Sequence, residues 1–219
     1  MSRKLKKELR ERWSTDLDFE INRNLKKENW KDKSTPNVRW MHQPFGVTEN
    51  GKIDFRGFPF REPSKYQFIS NIDFSYSHSL YEIVDGYGMS QGGSFIYTIM
   101  EDCVFIEAEM PANLSESFTD CDFSGSVFES TRISADFNSC HFVKSKMKDV
   151  LVSGKKFVNC DFTKSNLAKS SFYTCYFENC IFDDAKFSGT NISGSTFVNT
   201  RPSDAQIASC SVADKLKFL

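Results

Sequence analysis

The sequence lacks several features that would place it in a familiar class. Its 219 residues contain no apolar run of about 18 residues, which argues against a transmembrane helix. The opening MSRKLKKELRERW is charged and has no apolar stretch, so a secretory signal is not expected. Neither sign of charge is in excess, since 28 Lys and Arg face 29 Asp and Glu. A net charge of −1 gives no bulk attraction to nucleic acid or to an anionic membrane.

Residues that commonly build catalytic or metal sites are scarce or badly placed. The Cys count of 7 is odd, which argues against a complete disulfide framework and favours a reducing, cytoplasmic location. The three histidines, His42, His78 and His141, fall in no metal or catalytic-triad spacing. The glycine-rich stretch 86–93 lacks the Gly-Lys-Ser/Thr ending of a phosphate loop. We therefore expect no metal and no cofactor, and an enzyme ranks last among the functions considered.

Phenylalanine is abundant, with 22 residues against 3 Trp and 7 Tyr. From Phe137 to Phe197 an apolar residue recurs at every fifth position, usually with a small residue two positions before it. Helices repeat every 3.6 residues and strands every 2, so a period of five fits neither. The apolar positions are Phe137, Phe142, Met147, Val152, Phe157, Phe162, Leu167, Phe172, Phe177, Phe182, Phe187, Ile192 and Phe197.

The sequence also has a second, longer period, equal to four of these five-residue units. The string Phe157-Val-Asn-Cys-Asp-Phe162 returns after four such units as Phe177-Glu-Asn-Cys-Ile-Phe182. If four five-residue segments close one turn, equivalent residues of successive turns stack about 4.8 Å apart, as in a β-ladder. The predicted core includes Phe123, Phe142, Phe157, Phe162, Phe172, Phe177, Phe182, Phe197, Cys140, Cys160 and Cys180. The cysteines are interpreted as small apolar fillers of one interior column rather than as metal ligands.

These repeats resemble the pentapeptide-repeat family, whose motif is Ala, Cys or Ser, then Asp or Asn, then Leu or Phe, then two variable residues. The matching triplets are Ala112-Asn-Leu114, Cys121-Asp-Phe123, Ala135-Asp-Phe137, Cys160-Asp-Phe162 and Ser165-Asn-Leu167. The resemblance is dense from 100 to 212, weak from 53 to 93 and absent before that. It implies an all-β solenoid, a right-handed quadrilateral β-helix of pentapeptide repeats, here with a small α-helical N-terminal segment.

Four segments are predicted along the chain. Residues 1–52 form a helical and extended segment, 53–99 irregular first coils with a protruding loop at 76–93, 100–213 the regular β-helix, and 214–219 a C-terminal cap. We expect about six to seven coils, starting near Ile69 and ending near Val212. The N-terminal segment should hold one helix over 3–13 and another from Thr15 to about Trp30, with Asp18 closing a capping box. Its apolar face carries Leu17, Ile21 and Leu25.

The chain ends and the outward charges are open to two interpretations each. Leu216, Phe218 and Leu219 either cover the last coil or supply half of a homodimer contact through a solenoid end. The acidic belt consists of Glu101, Asp102, Glu107, Glu109, Glu116, Asp120, Asp122, Glu129 and Asp136. The basic belt consists of Lys144, Lys146, Lys148, Lys155, Lys156, Lys164 and Lys169. Plain solvation of a rod explains these belts as well as a binding role does.

The function predicted is a non-enzymatic protein-binding scaffold with an unidentified partner. The candidate partner-binding residues are Tyr76, Tyr81, Tyr87, Glu101, Asp102, Glu107, Glu109, Lys144, Lys146 and Lys164. The tyrosines are the proposed anchors, because aromatic residues dominate interface energetics, and the acidic belt would steer the approach of the partner. The N-terminal segment is either part of this binding surface or a cap on the first coil.

Two alternatives use different partners. The family resemblance implies one of them, because some bacterial members mimic B-DNA, bind DNA gyrase or topoisomerase IV and protect them from quinolones or toxins. The basic belt and the added N-terminal segment depart from that pattern. The other alternative is nucleic-acid binding through the Lys144–Lys169 belt and the Lys/Arg-rich start. It ranks below protein binding because the acidic belt would oppose it.

Overall fold

The computed structural model describes residues 3–13, 15–25, 43–61, 64–65, 67–80, 82–83, 90–91 and 93–219. Three helices lie in this part of the chain: α1 (Arg3–Glu11), α2 (Thr15–Leu25) and α3 (Asp204–Ser209). The strands are β1 (Ile53–Asp54), β2 (Pro59–Phe60), β3 (Ser64–Lys65), β4 (Phe68–Ser70), β5 (Ile72–Asp73), β6 (His78–Ser79), β7 (Glu82–Ile83), β8 (Ser90–Gln91), β9 (Ser94–Glu101), β10 (Asn113–Thr119), β11 (Arg132–Asn138), β12 (Leu151–Ser153), β13 (Lys156–Val158), β14 (Ser171–Tyr173), β15 (Tyr176–Glu178), β16 (Thr196–Val198) and β17 (Lys217–Phe218). None of the helices in these ranges has the length and apolar character needed to cross a bilayer.

Parallel pairing between segments four repeats apart winds the chain into a solenoid of about eight turns. One ladder joins Phe137, Phe157, Phe177 and Phe197. Three further ladders follow, each about one repeat further along the chain; one of them joins His141, Asp161 and Ile181. Each turn therefore has four sides, as the period of five predicts. We name them by their inward residue in one turn: the Phe157 face, the Phe162 face, the Leu167 face and the Phe172 face.

The coils are numbered by their inward residue on the Phe162 face. Coils 1 to 7 are centred on Phe55, Phe74, Phe105, Phe123, Phe142, Phe162 and Phe182, and an eighth turn follows. The predicted start near Ile69 was wrong. Strand β1 pairs with β5, matching Ile53 to Ile72, so one full coil precedes it. This coil lies within the segment 53–99 that was predicted to hold irregular first coils, and its residues do not follow the five-residue motif closely.

Two continuous stacks of phenylalanine rings fill the centre of the rod. On the Phe162 face, ring centroids of Phe142 and Phe162 are 4.8 Å apart and their planes differ by 5°. On the Phe157 face, Phe137 and Phe157 are 5.2 Å apart at 3°. The two stacks meet edge to face, with Phe157 and Phe162 at 5.6 Å and 65°. Every residue of the predicted phenylalanine and cysteine core is buried.

Cysteine recurs in one interior column and asparagine in one corner column, and the contacts in each column explain why. In the column of Cys103, Cys121, Cys140, Cys160 and Cys180, each thiol donates to a carbonyl of the neighbouring coil; Cys140 Sγ lies 3.4 Å from Phe118 O. At the corner that follows the Phe157 face, Asn159 and Asn179 have φ of 53° and 51°. Asparagine tolerates this left-handed conformation better than most residues. Asn179 Nδ2 donates to Asn159 Oδ1 at 3.2 Å, which links the two coils.

The N-terminal helices pack on the first coil. Trp13 is buried among Phe45, Phe55 and Phe58, with ring centroids 4.9 to 5.3 Å away. Ile21 on α2 is also buried in this cluster, as its predicted apolar face requires. Leu17 is partly buried against the same core, and the side chain of Leu25 lies outside the described residues. α2 is described only as far as Leu25, so its predicted end near Trp30 lies outside the described residues.

Asp18, predicted to close a capping box, also binds the first coil. Its carboxylate accepts two hydrogen bonds from the Arg61 guanidinium, at 3.2 and 2.9 Å, and is buried. Next to this pair, Asn22 Nδ2 donates to Pro59 O at 3.0 Å and its Oδ1 accepts from the Arg61 amide. Side chains of α2 thus provide hydrogen-bond partners for backbone groups at the edge of the first coil, which would otherwise be left unpaired.

The C-terminal end departs from the repeat earlier than predicted. α3 replaces part of the eighth coil, with Ser203 as its N-cap in a capping box with Gln206. Strand β17 then pairs with β16, and the Phe218 ring stacks on Phe197 at 5.5 Å. Phe218 continues the central stack, as expected of a cap, while Leu219 remains exposed. The choice between a cap and a homodimer contact stays a prediction, because Leu219 and part of Phe218 face outward.

Candidate interaction surfaces

Of the three tyrosines predicted as partner-binding anchors, the structure describes only Tyr76. It lies in coil 2 with 8% of its surface exposed, and its backbone N–H donates to Ile106 O. It therefore cannot anchor a partner in this conformation, and that prediction was wrong. The coil also continues beyond it, because β6 (His78–Ser79) pairs with β2. The predicted loop thus begins later than residue 76; Tyr81 and Tyr87 lie outside the described residues.

The acidic belt is not one patch, because its residues are spread over all sides of coils 3 to 5. Part of it is covered by the basic helix α1. Arg10 Nη2 lies 2.6 Å from Glu109 Oε1, and Lys6 Nζ donates to Glu107 O at 3.2 Å. Lys52 Nζ lies 2.6 Å from Asp102 Oδ1. Of the four acidic residues among the predicted partner-binding residues, three are therefore in contact with the chain's own N-terminal segment, and Glu101 remains exposed.

A second ionic cluster fixes the position of α1. Arg12 and Arg56 both bind the Asp54 carboxylate; Arg12 Nη2 is 2.5 Å from Oδ1 and Arg56 Nη2 is 2.8 Å from Oδ2. Burial alone would raise the pKa of Asp54, but the hydrogen bonds from Arg12 and Arg56 outweigh it and hold that pKa well below its usual range. Gly57 lies directly under the helix, because a Cβ there would come within 2.4 Å of Leu9 O.

The basic belt divides between opposite sides of the rod. Lys155 and Lys156 belong to the Phe157 face, where Lys156 pairs in register with Tyr176. The others lie on the Leu167 face and its two corners, where the Lys146 ladder continues through Asn166 to Lys186. The side chains of Lys144, Lys146, Lys164, Lys169 and Lys186 are exposed. The structure therefore brings together Lys144, Lys146 and Lys164, three of the predicted partner-binding residues, and adds Lys186.

The Phe172 face carries an apolar surface that the sequence analysis missed. Leu151 is 51% exposed and Tyr173 is 48% exposed, on neighbouring coils. They line one shallow depression of about 530 Å³. Its polar lining residues are Arg132, Ser134, Ser153, Ser171, Tyr173 and Asn191, so Arg132 supplies its only charge. Outward positions of a strand are usually polar, so an exposed Leu beside an exposed Tyr marks this face as unusual.

The titratable groups do not assemble a reactive site in the described part of the chain. Burial raises the pKa of the Cys103 and Cys121 thiols, and raises that of Cys175 to about 11, so these thiols stay protonated. Burial, together with Arg10, lowers the pKa of His78 to about 4. His141 is exposed on the ladder between Asp122 and Asp161. Within the described ranges, no group of three or more His, Cys, Asp and Glu is placed to hold a metal ion.

The repeats match a known family. The family model for pentapeptide repeats matches residues 156–194 with eight copies, inside the part where the Phe and Cys ladders are most regular. Residues 156–194 are pentapeptide repeats, and the solenoid is of the pentapeptide-repeat type. No curated protein is significantly similar to it in sequence.

Solved structures of other pentapeptide-repeat proteins are similar to this one only at a distance. QnrB1, a plasmid-mediated fluoroquinolone resistance protein, is 14% identical over 76% of this chain and 87% of its own, with a TM-score of 0.39. HetL, involved in heterocyst differentiation regulation in the cyanobacterium Nostoc sp. strain PCC 7120, is 14% identical over 68% and 77%, with a TM-score of 0.27. A protein from the Arabidopsis thaliana thylakoid lumen is 21% identical over 40% and 68%, with a TM-score of 0.21. No partner is carried over from them.

The sequence analysis missed the residues that attach the N-terminal segment to the coils. The contacts Arg10–Glu109 and Arg12–Asp54 join residues 99 and 42 positions apart. No periodicity connects such positions. A signal did exist for Leu151 and Tyr173, since both are large apolar or aromatic residues one position away from an inward residue of the repeat.

Proposed function

We propose that this pentapeptide-repeat protein is a non-enzymatic protein-binding scaffold whose partner contacts the Phe172 face. The depression holding Leu151 and Tyr173 is the observation that carries the proposal. An apolar and aromatic centre with a polar rim is the usual composition of a protein–protein interface. Arg132 makes no ion pair within the described ranges, so it is available to a carboxylate of the partner.

The buried thiols and the absence of a nucleophile with a paired base in the described residues support a non-enzymatic role. The rod itself is held together by repeated, fully buried Phe and Cys positions. Its outward residues are free to vary without changing the core, as in other solenoids that bind proteins on one face. The scaffold proposal therefore needs no chemistry beyond surface complementarity.

The topoisomerase alternative receives less support from the surface charge. A mimic of B-DNA needs negative charge along the rod, whereas coils 5 to 7 present five exposed lysines on and beside the Leu167 face. In coils 3 and 4, Glu109 is already paired with Arg10. This alternative stays a prediction, and binding of purified gyrase to the rod would test it.

The test compares capture of partners by three immobilised versions of the protein in lysate of the native cell. The first is the wild type and the second carries Leu151→Lys and Tyr173→Ser. The third carries Ile181→Lys, a matched control because Ile181 is 46% exposed on the Phe162 face. We expect a stoichiometric partner to bind the wild type and the Ile181 variant and to be lost from the double variant. Equal capture by all three versions would reject the Phe172 face as the site, and capture by none would reject the scaffold.

A further inference from the structure

Five exposed lysines form one cluster on and beside the Leu167 face of coils 5 to 7. Lys144 and Lys164 stack at the corner between the Phe162 and Leu167 faces, and Lys169 lies at the opposite corner. Lys146 and Lys186 lie two coils apart on the ladder between these corners. None of the five makes an ion pair with any residue that the structure describes. Like charges on neighbouring strands repel one another, so this lysine cluster destabilises the free protein.

Backbone strain accompanies the cluster. Lys144, Lys164 and Lys169 have φ of 57°, 58° and 60°, a left-handed conformation that disfavours residues other than Gly, Asn and Asp. Neighbouring coils place Gly125 and Gly189 at the same corners, so the fold accepts glycine there. Lysine at these positions costs stability both through strain and through charge repulsion. The same left-handed φ recurs at corners of the other coils, so the charge repulsion, and not the backbone, distinguishes this cluster.

Helix α1 extends this cluster. Leu9 packs over Gly57 in coil 1, while Lys6 reaches Glu107 in coil 3, so the helix runs toward coils 4 and 5 as it approaches its N-terminus. Three further residues add about 4.5 Å, roughly one coil, which brings Arg3 toward the lysines. Burial and the charges of Arg10 and Lys146 lower the pKa of Lys6, in keeping with this proximity.

The charges in the first turn of α1 are also unfavourable for the helix itself. This turn contains no acidic residue, and its basic residues lie at the positive end of the helix dipole. Basic side chains destabilise this end of a helix, and an anion stabilises it. Several closely spaced anionic groups would therefore stabilise both the N-terminus of the helix and the lysine cluster.

Acidic residues on either side of the cluster restrict the shape of the ligand. Glu129 lies in coil 4, and Asp183 and Asp184 lie in coil 7, all exposed. A flat bilayer, or a duplex lying along the rod, would meet these acids together with the lysines. A nucleic-acid duplex crossing the rod at coils 5 and 6, where four of the five lysines lie, would meet Glu129, Asp183 and Asp184 only at its edges. Asp149, in coil 5, is paired with Lys148. The cluster contains no aromatic side chain on which the bases of a single strand could stack.

We propose that the lysine cluster and the first turn of α1 bind the phosphate backbone of a nucleic-acid duplex that crosses the rod. The acidic belt opposes such binding less than the sequence implies, because Arg10 and Lys52 pair with Glu109 and Asp102. Binding is independent of base sequence, because lysine contacts to phosphate carry no sequence information. It does not rest on the scaffold proposal, since that proposal uses the Phe172 face.

The test measures fluorescence anisotropy of a labelled 20-base-pair DNA duplex in about 50 mM NaCl. We expect micromolar binding by the wild-type protein, with log K falling against log salt at a slope of about −3 to −5 for four to five neutralised phosphates. Lys144→Glu/Lys146→Glu/Lys164→Glu should weaken binding at least about tenfold. Arg3→Glu/Lys4→Glu should weaken it by a smaller factor and should also make the salt slope shallower.

The matched control is Lys156→Glu/Lys215→Glu/Lys217→Glu. It makes the same change in net charge at three exposed lysines outside the cluster, and Lys215 has a φ of 55°, like Lys144. The control should bind the duplex with nearly wild-type affinity. If the cluster variant fails to fold, Lys144→Asn/Lys164→Asn replaces it, because asparagine suits the left-handed corner. The proposal is overturned by equal weakening in both triple variants, by the absence of wild-type binding, or by tighter binding to anionic vesicles than to the duplex.

Discussion

Coils 1 to 3 and coils 5 to 7 of the same rod are stabilised in different ways. In coils 5 to 7 the phenylalanines of two faces stack on copies of themselves, as Phe142, Phe162 and Phe182 do at 4.8 and 5.4 Å. In coils 1 to 3 the step between equivalent residues is irregular, since Phe74 lies much further along the chain from Phe105 than from Phe55. There the helices α1 and α2 and the buried Asp18–Arg61 pair complete the core.

The difference between the two halves shows which stabilising contacts a repeat can supply and which it cannot. A coil inside the array buries both of its flat sides against neighbours, and its stability is nearly a sum of local and nearest-neighbour terms. The first coil has a neighbour on one side only. Its other side needs apolar cover, which Trp13 and Ile21 supply, and partners for its backbone edge, which Asn22 supplies. We therefore predict that a non-repetitive segment is required at this end, whatever else it binds.

The largest effect is expected in the regular half. Phe162→Ala removes a ring that is stacked on both sides, and we expect a loss of about 3–5 kcal/mol in the free energy of unfolding. Urea denaturation followed by circular dichroism measures it. Leu151→Ala serves as the control, since Leu151 is exposed, and should change the midpoint little. An unchanged midpoint for Phe162→Ala would mean that neighbouring rings close the cavity without cost.

Trp13→Ala tests whether the two halves are separately stable. Its ring joins α1 to Phe55 and Phe58, so its loss should destabilise the first coils by about 3 kcal/mol. Amide hydrogen exchange should then speed up in β1, β2 and β5, while β13 and β15 keep wild-type protection. Uniform loss of protection from coil 1 to coil 8 would contradict the comparison, because it would show that the rod unfolds as a single unit.

The Asp54 cluster should make the N-terminal half sensitive to acid. Arg12 and Arg56 depress the pKa of Asp54 in the folded state. The Asp54 carboxylate therefore contributes its full stabilisation of the folded protein above the unfolded pKa of about 3.9. This stabilisation is lost as the pH falls from about 3.9 toward the pKa of Asp54 in the folded protein. Asp54→Asn should cost about 1.5–3 kcal/mol at pH 7, the usual value for charged hydrogen bonds. The stability difference between wild type and variant should shrink below about pH 4; a constant difference down to pH 3 would contradict this assignment.

The sequence predicted the regular half of the fold, because the residues that stack there are separated by a fixed, short spacing along the chain. The period of five and the matching strings around Phe157 and Phe177 report which residues stack. The irregular half depends on pairs such as Arg12–Asp54, which only the folded chain brings together. The same limit applied to the candidate sites. The lysines were visible in the sequence, but their left-handed corner positions and their proximity to Lys6 arise only in the folded chain.

The smallest predicted effect concerns the corner column of the regular half. Asn179 has a φ of 51° and donates to Asn159 in the next coil at 3.2 Å, so it both tolerates the left-handed corner and links two coils. Asn179→Ala should cost about 1–2 kcal/mol, because alanine is disfavoured in this conformation and the amide contact is lost. Asn179→Gly removes the same contact without the conformational penalty and should cost less. Denaturation midpoints of the two variants separate these causes. If alanine and glycine cost the same, the amide contact alone matters, and the left-handed corner is not what selects asparagine in this column.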